Sequence, residues 1–210
     1  MANLITLARF LLLFVLVGMV AAAPPVWQLA DAPLLLVIIA LDGIDGYVAR
    51  RRGEASVFGS IFDIVVDRVV ENVLWVVLAY VNLVPLWVTL LVVTRGVIVD
   101  SVRYQAVSQG ETVFGMMRSR WGRFLVSSRF MRAFYGTTKA VTFGWVFFLQ
   151  PLPELFPVAW SHWEVPATVL ANLLVFSSVT LCLVRGVPVV TEGLVAHGVV
   201  SRPKSVREAP

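Results

Sequence analysis

The chain has little charge and only one cysteine. Asp, Glu, Lys and Arg make up 14% of its 210 residues, whereas an ordinary soluble domain carries about 25%. The lone Cys182 excludes a disulfide-stapled secreted domain, and no internal repeat is present. With 59% hydrophobic residues and a mean hydropathy of +0.85, the chain is expected to work in a lipid bilayer. The net charge of +4 therefore does not call for a nucleic-acid partner.

Six apolar stretches are long enough to cross the hydrocarbon core, which takes about 20 residues per helix. They cover residues 4–23, 33–50, 56–80, 85–106, 133–150 and 165–184, and turn-forming residues separate them. The sequence therefore predicts an all-α, polytopic integral membrane protein with six transmembrane helices over residues 1–184. A basic tail follows over residues 185–210.

The basic residues lie at one end of the predicted spans. The connections 24–32, 81–85 and 151–164 contain neither Lys nor Arg. By the positive-inside rule the opposite ends are cytoplasmic, and so are both termini. This pattern favours the plasma (inner) membrane of a prokaryote. A cleaved signal peptide is the alternative for residues 1–23, although the first eight side chains include no basic one.

Residues 107–132 form the longest cytoplasmic connection in this topology. They contain five arginines interleaved with Trp121, Phe124 and Phe130. An amphipathic stretch that lies on anionic lipid has this composition, and so does a simple basic loop. The sequence leaves both interpretations open.

Four of the six aspartates fall within one short stretch, as Asp42, Asp45, Asp63 and Asp67. Spacings of three and four residues put each pair on one helix face, and a turn at 51–54 would make the two helices antiparallel neighbours. Like charges at membrane depth repel one another, so a positive group is expected between them. Hard oxygen ligands in this number suit Mg²⁺ or Mn²⁺, with two ions about 3.5–4 Å apart as one arrangement. The absence of His and Cys from the stretch argues against zinc.

Small residues accompany these acids. Gly43, Gly46, Ala49 and Gly59 would leave room for a polyphosphate, although close helix packing also uses such residues. Arg50 follows Gly46 by one turn and is positioned to pair with a diphosphate.

The acids and small residues follow one pattern from Asp42 to Asp67: Asp, two residues, Asp-Gly, two, Ala-Arg, eight, Gly, three, Asp, three, Asp. This resembles the motif of the CDP-alcohol phosphotransferase family in all eight fixed positions and every gap. The resemblance implies a six-helix, usually dimeric membrane enzyme with an active site open to the cytoplasm. Such enzymes transfer a phosphoalcohol unit from a CDP-alcohol, typically CDP-diacylglycerol, to an alcohol and release CMP.

The resemblance also implies roles for individual residues. The metal ligands, for Mg²⁺ or Mn²⁺ and two ions, would be Asp42, Asp45, Asp63 and Asp67. The CDP-binding residues would be Gly46, Ala49, Arg50 and Gly59. Asp67 would in addition be the general base that deprotonates the acceptor hydroxyl.

Basic residues in the later spans bear on the acceptor. Arg95 and Arg103 lie in the fourth predicted span and Lys139 in the fifth, where a charge is normally paired or functional. One interpretation pairs Arg95 with an aspartate. The other forms an anion pocket from all three residues for a phosphorylated acceptor.

Three stretches are similar to those of phosphatidylglycerophosphate synthases, a branch of the family: Asn3–Arg9, Thr94–Arg103 and Gly136–Lys139. Gly96 and Thr137 depart from that branch's pattern. Glycerol 3-phosphate is therefore the preferred acceptor, inositol 1-phosphate the second, and serine or inositol the third. Glu71 is expected to pair with Arg68.

Two other classes of protein also use intramembrane acids. Prenyltransferases carry two acid-rich motifs far apart in longer chains, which this single cluster does not match. A divalent-cation transporter usually places its site near the midplane, often within an internal repeat, and no repeat is found.

Overall fold

The computed structural model describes the backbone of residues 2–52, 57–108, 117 and 119–196. It describes the side chains of these residues except 2–3, 45–52, 57–58, 60 and 196. Within this part the chain is helical and contains no strand. In chain order the helices are α1 (Ala2–Ala22), α2 (Pro25–Gln28), α3 (Asp31–Arg52), α4 (Val57–Tyr80), α5 (Leu86–Ser108), α6 (Arg120–Gly122), a π-helical turn (Arg123–Ser127), α7 (Arg129–Leu149), α8 (Leu152–Leu155) and α9 (Pro157–Ala196).

Each predicted span coincides with one of the six long helices, so the all-α prediction is confirmed. The connections after α1 and after α7 contain the short helices α2 and α8. Each of these begins with Pro in its first turn, a position that proline favours. The last predicted span, 165–184, lies inside α9. Helix α9 has 40 residues, which is about 60 Å of helix. Helical structure therefore extends to Ala196, into the region predicted as tail.

In the part of the chain that the structure describes, three helical stretches are long and apolar enough to cross a membrane: Leu4–Ala22, Pro25–Ile44 and Pro157–Val195. Helices α4, α5 and α7 have a sufficient length, but charged residues make up a larger share of each of them, as Asp63, Asp67 and Glu71 illustrate for α4. Their crossing of the membrane stays a prediction, as does the position of the termini.

The chain divides into two compact units. Unit 1 comprises residues 1–92 and 137–178. In this unit α1 packs against both α3 and α4. Trp75 of α4 contacts Phe143 of α7 edge-on, with ring centroids 4.9 Å apart. The hydroxyls of Thr142 and Ser178 lie 2.8 Å apart and join α7 to α9.

Unit 2 comprises residues 93–136 and 179–210. Its core consists of Val99, Ala106, Met117, Val126 and Val189. These residues come from α5, α9 and the segment before α7, so apolar packing holds the unit together.

The segment before α7 is fixed by a cap. Ser119 accepts a hydrogen bond from Gly122 N, and its hydroxyl donates to Glu192 of α9 at 2.5 Å. Trp121 and Phe124 are exposed while Val126 is buried. This division of faces favours the amphipathic interpretation for residues 119–132; residues 109–116 and 118 lie outside the described part.

Candidate active site

Asp42, Asp63 and Asp67 come together because α3 and α4 share α1 as a packing partner. Asp42 lies on α3, and Asp63 and Asp67 lie one turn apart on the same face of α4. One carboxylate oxygen of each lies within 4.8 Å of the other two. All three side chains are partly exposed. The sequence prediction that these acids form one cluster is confirmed for the three.

A positive group lies between the carboxylates, as expected, and it is the guanidinium of Arg9 on α1. Its Nη1 donates to Asp42 Oδ1, and its Nη2 donates to Asp67 Oδ1 at 2.6 Å. The same Nη2 lies 3.4 Å from Asp63 Oδ1. The Arg9 side chain is only 2% exposed. Because a guanidinium presents a planar fork of donors, it can serve several carboxylates at once.

The three carboxylates suit a divalent metal ion. Two oxygens bound to one Mg²⁺ ion are at most about 4.2 Å apart, so oxygens within 4.8 Å of one another need only a small shift to share an ion. Oxygen-only ligation is the preference of Mg²⁺ and Mn²⁺ and disfavours zinc. The hydrogen bonds described between Arg9 and these acids use the Oδ1 atom of each carboxylate.

Other residues of the predicted motif are described less fully. The side chains of Asp45, Ala49 and Arg50, and the surroundings of Gly46, lie outside the described set. Gly59 lies on α4, one turn before Asp63. The roles predicted for these residues in binding metal or CDP therefore stay predictions.

Lys139, predicted to bind the acceptor's phosphate, forms an ion pair in unit 1. Its Nζ lies 2.8 Å from Glu71 Oε1, and Arg68 Nη1 donates to Glu71 Oε2 at 3.1 Å. The predicted pairing of Glu71 with Arg68 is confirmed. Glu71 thus joins two cations one turn after Asp67.

Arg95 and Arg103 belong to unit 2. Arg103 lies 3.9 Å from Asp100 on its own helix. Arg95 lies against Gly186 of α9, where an added β-carbon would come 2.5 Å from Arg95 Nε. Glycine at this position permits the close approach.

Arg185, the neighbour of Gly186, was missed by sequence reasoning. Its side chain is buried, and its guanidinium carbon lies 5.3 Å from the ring centroid of Tyr135. Arg95 and Arg132 are near enough to act on its charge. Among the residues that the structure describes, Nη1 of Arg185 and Nε of Arg95 have no hydrogen-bond partner. Buried donors of this kind are available to an anion.

Arg9 was also missed as a site residue. One signal was present: a lone arginine in an otherwise apolar helix normally pairs with an acid or serves function. The motif from Asp42 to Asp67 does not include Arg9, so the motif alone does not place this side chain among the acids.

Comparison of the sequence with known protein families agrees with a metal-binding site formed by these aspartates. Residues 1–179 match the family model described as CDP-alcohol phosphatidyltransferase. The chain belongs to this family. The resemblance drawn from the motif at Asp42–Asp67 is therefore confirmed.

Two bacterial relatives carry the same name, CDP-diacylglycerol–glycerol-3-phosphate 3-phosphatidyltransferase. The protein from Bacillus subtilis (strain 168) is 27% identical over 107 residues, which cover 50% of this chain and 55% of that protein. The protein from Pseudomonas fluorescens is 30% identical over 123 residues, which cover 57% of this chain and 62% of that protein. The chain thus spans little more than half the length of these relatives.

Proposed function

We propose that this protein transfers the phosphatidyl group of CDP-diacylglycerol to glycerol 3-phosphate, forming phosphatidylglycerophosphate and CMP. The observation that carries the proposal is the oxygen-only cluster of Asp42, Asp63 and Asp67 in a member of this family. The names of the two relatives support this donor and this acceptor.

Asp42, Asp63 and Asp67 would hold Mg²⁺ or Mn²⁺ together with Asp45, and two ions are proposed. A divalent cation bound there offsets the charge of the diphosphate and of the departing CMP. Arg50 would pair with the same diphosphate, while Gly46, Ala49 and Gly59 would leave space for the nucleotide.

Asp67 would accept the proton of the acceptor hydroxyl. The acceptor oxygen then forms a bond to the phosphorus of the phosphatidyl group. The bond from this phosphorus to the bridging oxygen of the diphosphate breaks, and CMP leaves with the electron pair. Asp67 is suited to this role because its side chain is about half exposed, while the contact with Arg9 engages only its Oδ1 atom.

The phosphate of the acceptor would be bound by arginine side chains. Arg95 is the predicted residue that the structure supports most directly, because it lies close to Arg185 and each has a buried donor without a partner among the described residues. Arg103 and Lys139 stay members of the predicted pocket. Each has an acidic neighbour, which holds its side chain in place before the acceptor arrives.

The proposal includes a six-span topology with both termini and the active site on the cytoplasmic side of a prokaryotic plasma membrane. Large apolar side chains of α4 and α5, such as Ile64 and Val97, are exposed to the surroundings, which suits a lipid solvent. Charged residues inside spans normally face the protein interior, as Arg9 does. A homodimer is the assembly that the family resemblance implies.

The test is release of CMP by the purified protein in detergent with CDP-diacylglycerol and Mg²⁺ or Mn²⁺. Separate reactions would contain glycerol 3-phosphate, inositol 1-phosphate, inositol or serine. Asp67→Asn is expected to lower the rate by at least about 100-fold, since a general base contributes about 10²–10⁴. The expected result is release that depends on glycerol 3-phosphate.

Asp31→Asn is the matched control. Asp31 is on the same helix as Asp42, about 16 Å away along the axis. It is fully buried, and neither of its oxygens has a hydrogen-bond partner among the described residues. This variant should keep full activity.

Release of CMP with inositol 1-phosphate alone would make inositol 1-phosphate the acceptor in place of glycerol 3-phosphate. If CMP is released with none of the four acceptors and the protein carries divalent metal ions into sealed vesicles, the function is that of a transporter and not of an enzyme.

A further inference from the structure

The buried arginine of α1 is the residue that connects the three acidic side chains. Arg9 lies 33 positions before Asp42 and 58 before Asp67 in the chain. Its two terminal nitrogens contact one carboxylate of α3 and two of α4. These contacts make α1 part of the acidic site although no residue of the α1 sequence belongs to the acidic motif.

The orientation of α1 is set by its buried face. Thr6, Arg9, Leu13, Leu16 and Val20 are all buried, at spacings of three and four residues. These spacings define a single stripe along the helix, so the apolar residues below Arg9 fix the rotation that directs its guanidinium to the acids. Leu7 and Leu11, on other faces of α1, are exposed.

The charges make the contact useful to a metal site. The guanidinium offsets part of the repulsion among the three carboxylates, so the cluster can form before a cation binds. Among the described contacts, Arg9 meets each acid at its Oδ1 atom. Lysine has a single ammonium in place of the planar fork and cannot reproduce this arrangement.

We propose that Arg9 is a positioning residue that holds Asp42, Asp63 and Asp67 together so that the cluster can bind the metal ion. The proposal rests on the metal-dependent function proposed above. It differs from a purely structural role, in which Arg9 would only link helices. It also differs from a competing role, in which the guanidinium would occupy the place of the metal.

Metal affinity separates these roles. Mn²⁺ binding to the full-length protein in detergent would be measured by electron paramagnetic resonance, without substrate. Partners that orient metal ligands typically contribute about 10–100-fold to metal affinity. Arg9→Gln should therefore weaken Mn²⁺ binding by about that factor, and Arg9→Lys should weaken it less because the charge is retained.

Arg68→Gln serves as the matched control. Arg68 is adjacent to Asp67 in the chain but contacts Glu71. The variant loses one positive charge near the site, and the described contact that it breaks is the one with Glu71. Its Mn²⁺ affinity should therefore stay within about twofold of the wild-type value, against the larger change expected for a residue that orients the ligands.

Four results would overturn the proposal. Unchanged Mn²⁺ affinity in folded Arg9→Gln would leave a structural role, and tighter binding would indicate competition. If Arg9→Gln does not fold, an unchanged affinity in Arg9→Lys would decide against positioning. Absence of Mn²⁺ binding in the wild type would overturn the metal-dependent function as well, so the two failures are distinguishable.

Discussion

Lys139 on α7 and Glu71 on α4 form an ion pair in which Nζ lies 2.8 Å from Oε1. Both side chains are largely buried, at 19% and 14% exposed. Glu71 also accepts from Arg68, so this carboxylate holds two cations in one place. A lysine kept in this way is prepared to bind an anion, because its side chain is already partly ordered before the ligand arrives.

Lys139→Gln tests whether this lysine contributes to acceptor binding. A charge-assisted hydrogen bond contributes about 1.5–3 kcal/mol. We therefore expect the KM for glycerol 3-phosphate to rise about tenfold or more, while the KM for CDP-diacylglycerol changes little. Steady-state kinetics of CMP release would measure both constants.

Glu71→Gln is the companion variant, because it breaks the same ion pair but keeps Lys139. Its acceptor KM should rise less than that of Lys139→Gln. If both variants lose the same thermal stability and keep the acceptor KM unchanged, the ion pair only connects α4 to α7 and does not contribute to acceptor binding.

Gly186→Ala tests the approach of Arg95 to α9. A methyl group at this position would come 2.5 Å from Arg95 Nε, so the arginine must shift. If Arg95 binds the acceptor's phosphate, the acceptor KM should rise by about three- to tenfold. This is less than the rise expected from losing one charge-assisted hydrogen bond completely, because the shifted arginine keeps part of the contact. The turnover number should change less.

Gly144→Ala is the control for this substitution. An added methyl group at Gly144 of α7 meets no described atom within 4 Å. Replacing glycine by alanine inside a helix stabilises it by about 0.5–1 kcal/mol when space is available. This variant should therefore keep its kinetics and unfold at an equal or higher temperature. The same behaviour in Gly186→Ala would show that Arg95 can move without consequence.

Thr142→Val tests the polar contact between α7 and α9. The Thr142 hydroxyl is fully buried and lies 2.8 Å from Ser178 Oγ. Hydrogen bonds between membrane helices contribute about 0.6 kcal/mol on average and up to about 1.7. A loss of this size in the free energy of unfolding, measured by denaturation in detergent, is expected. Thr191→Val should cost less, because the exposed Thr191 hydroxyl bonds only to its own helix.

Sequence alone predicted the long helices and the acidic cluster for clear physical reasons. Helices that cross hydrocarbon must satisfy every backbone group internally, so apolar length is a strong signal. The spacing between Asp63 and Asp67 fixed their shared face on α4 without reference to the rest of the fold.

The contact between Arg9 and these acids could not be predicted in the same way. It depends on α1 packing against both α3 and α4, and no local pattern specifies that arrangement. The predicted span 165–184 marks only part of α9, which continues through Gly186 and Pro188, residue types that disfavour a helix interior. The glycine is instead explained by the close approach of Arg95.

The topology can be tested by labelling introduced cysteines in intact cells with a membrane-impermeant maleimide. Ala30→Cys and Ser161→Cys lie in connections predicted to be outside and should react, because both positions are exposed. Ser108→Cys, at the opposite end of a predicted span, should react only after the membrane is permeabilised. The native Cys182 is buried, so the wild type provides the background signal.

Labelling of Ser108→Cys in intact cells would contradict the predicted orientation. Protection of Ser161→Cys with labelling of Ala30→Cys would contradict the number of spans between these two positions.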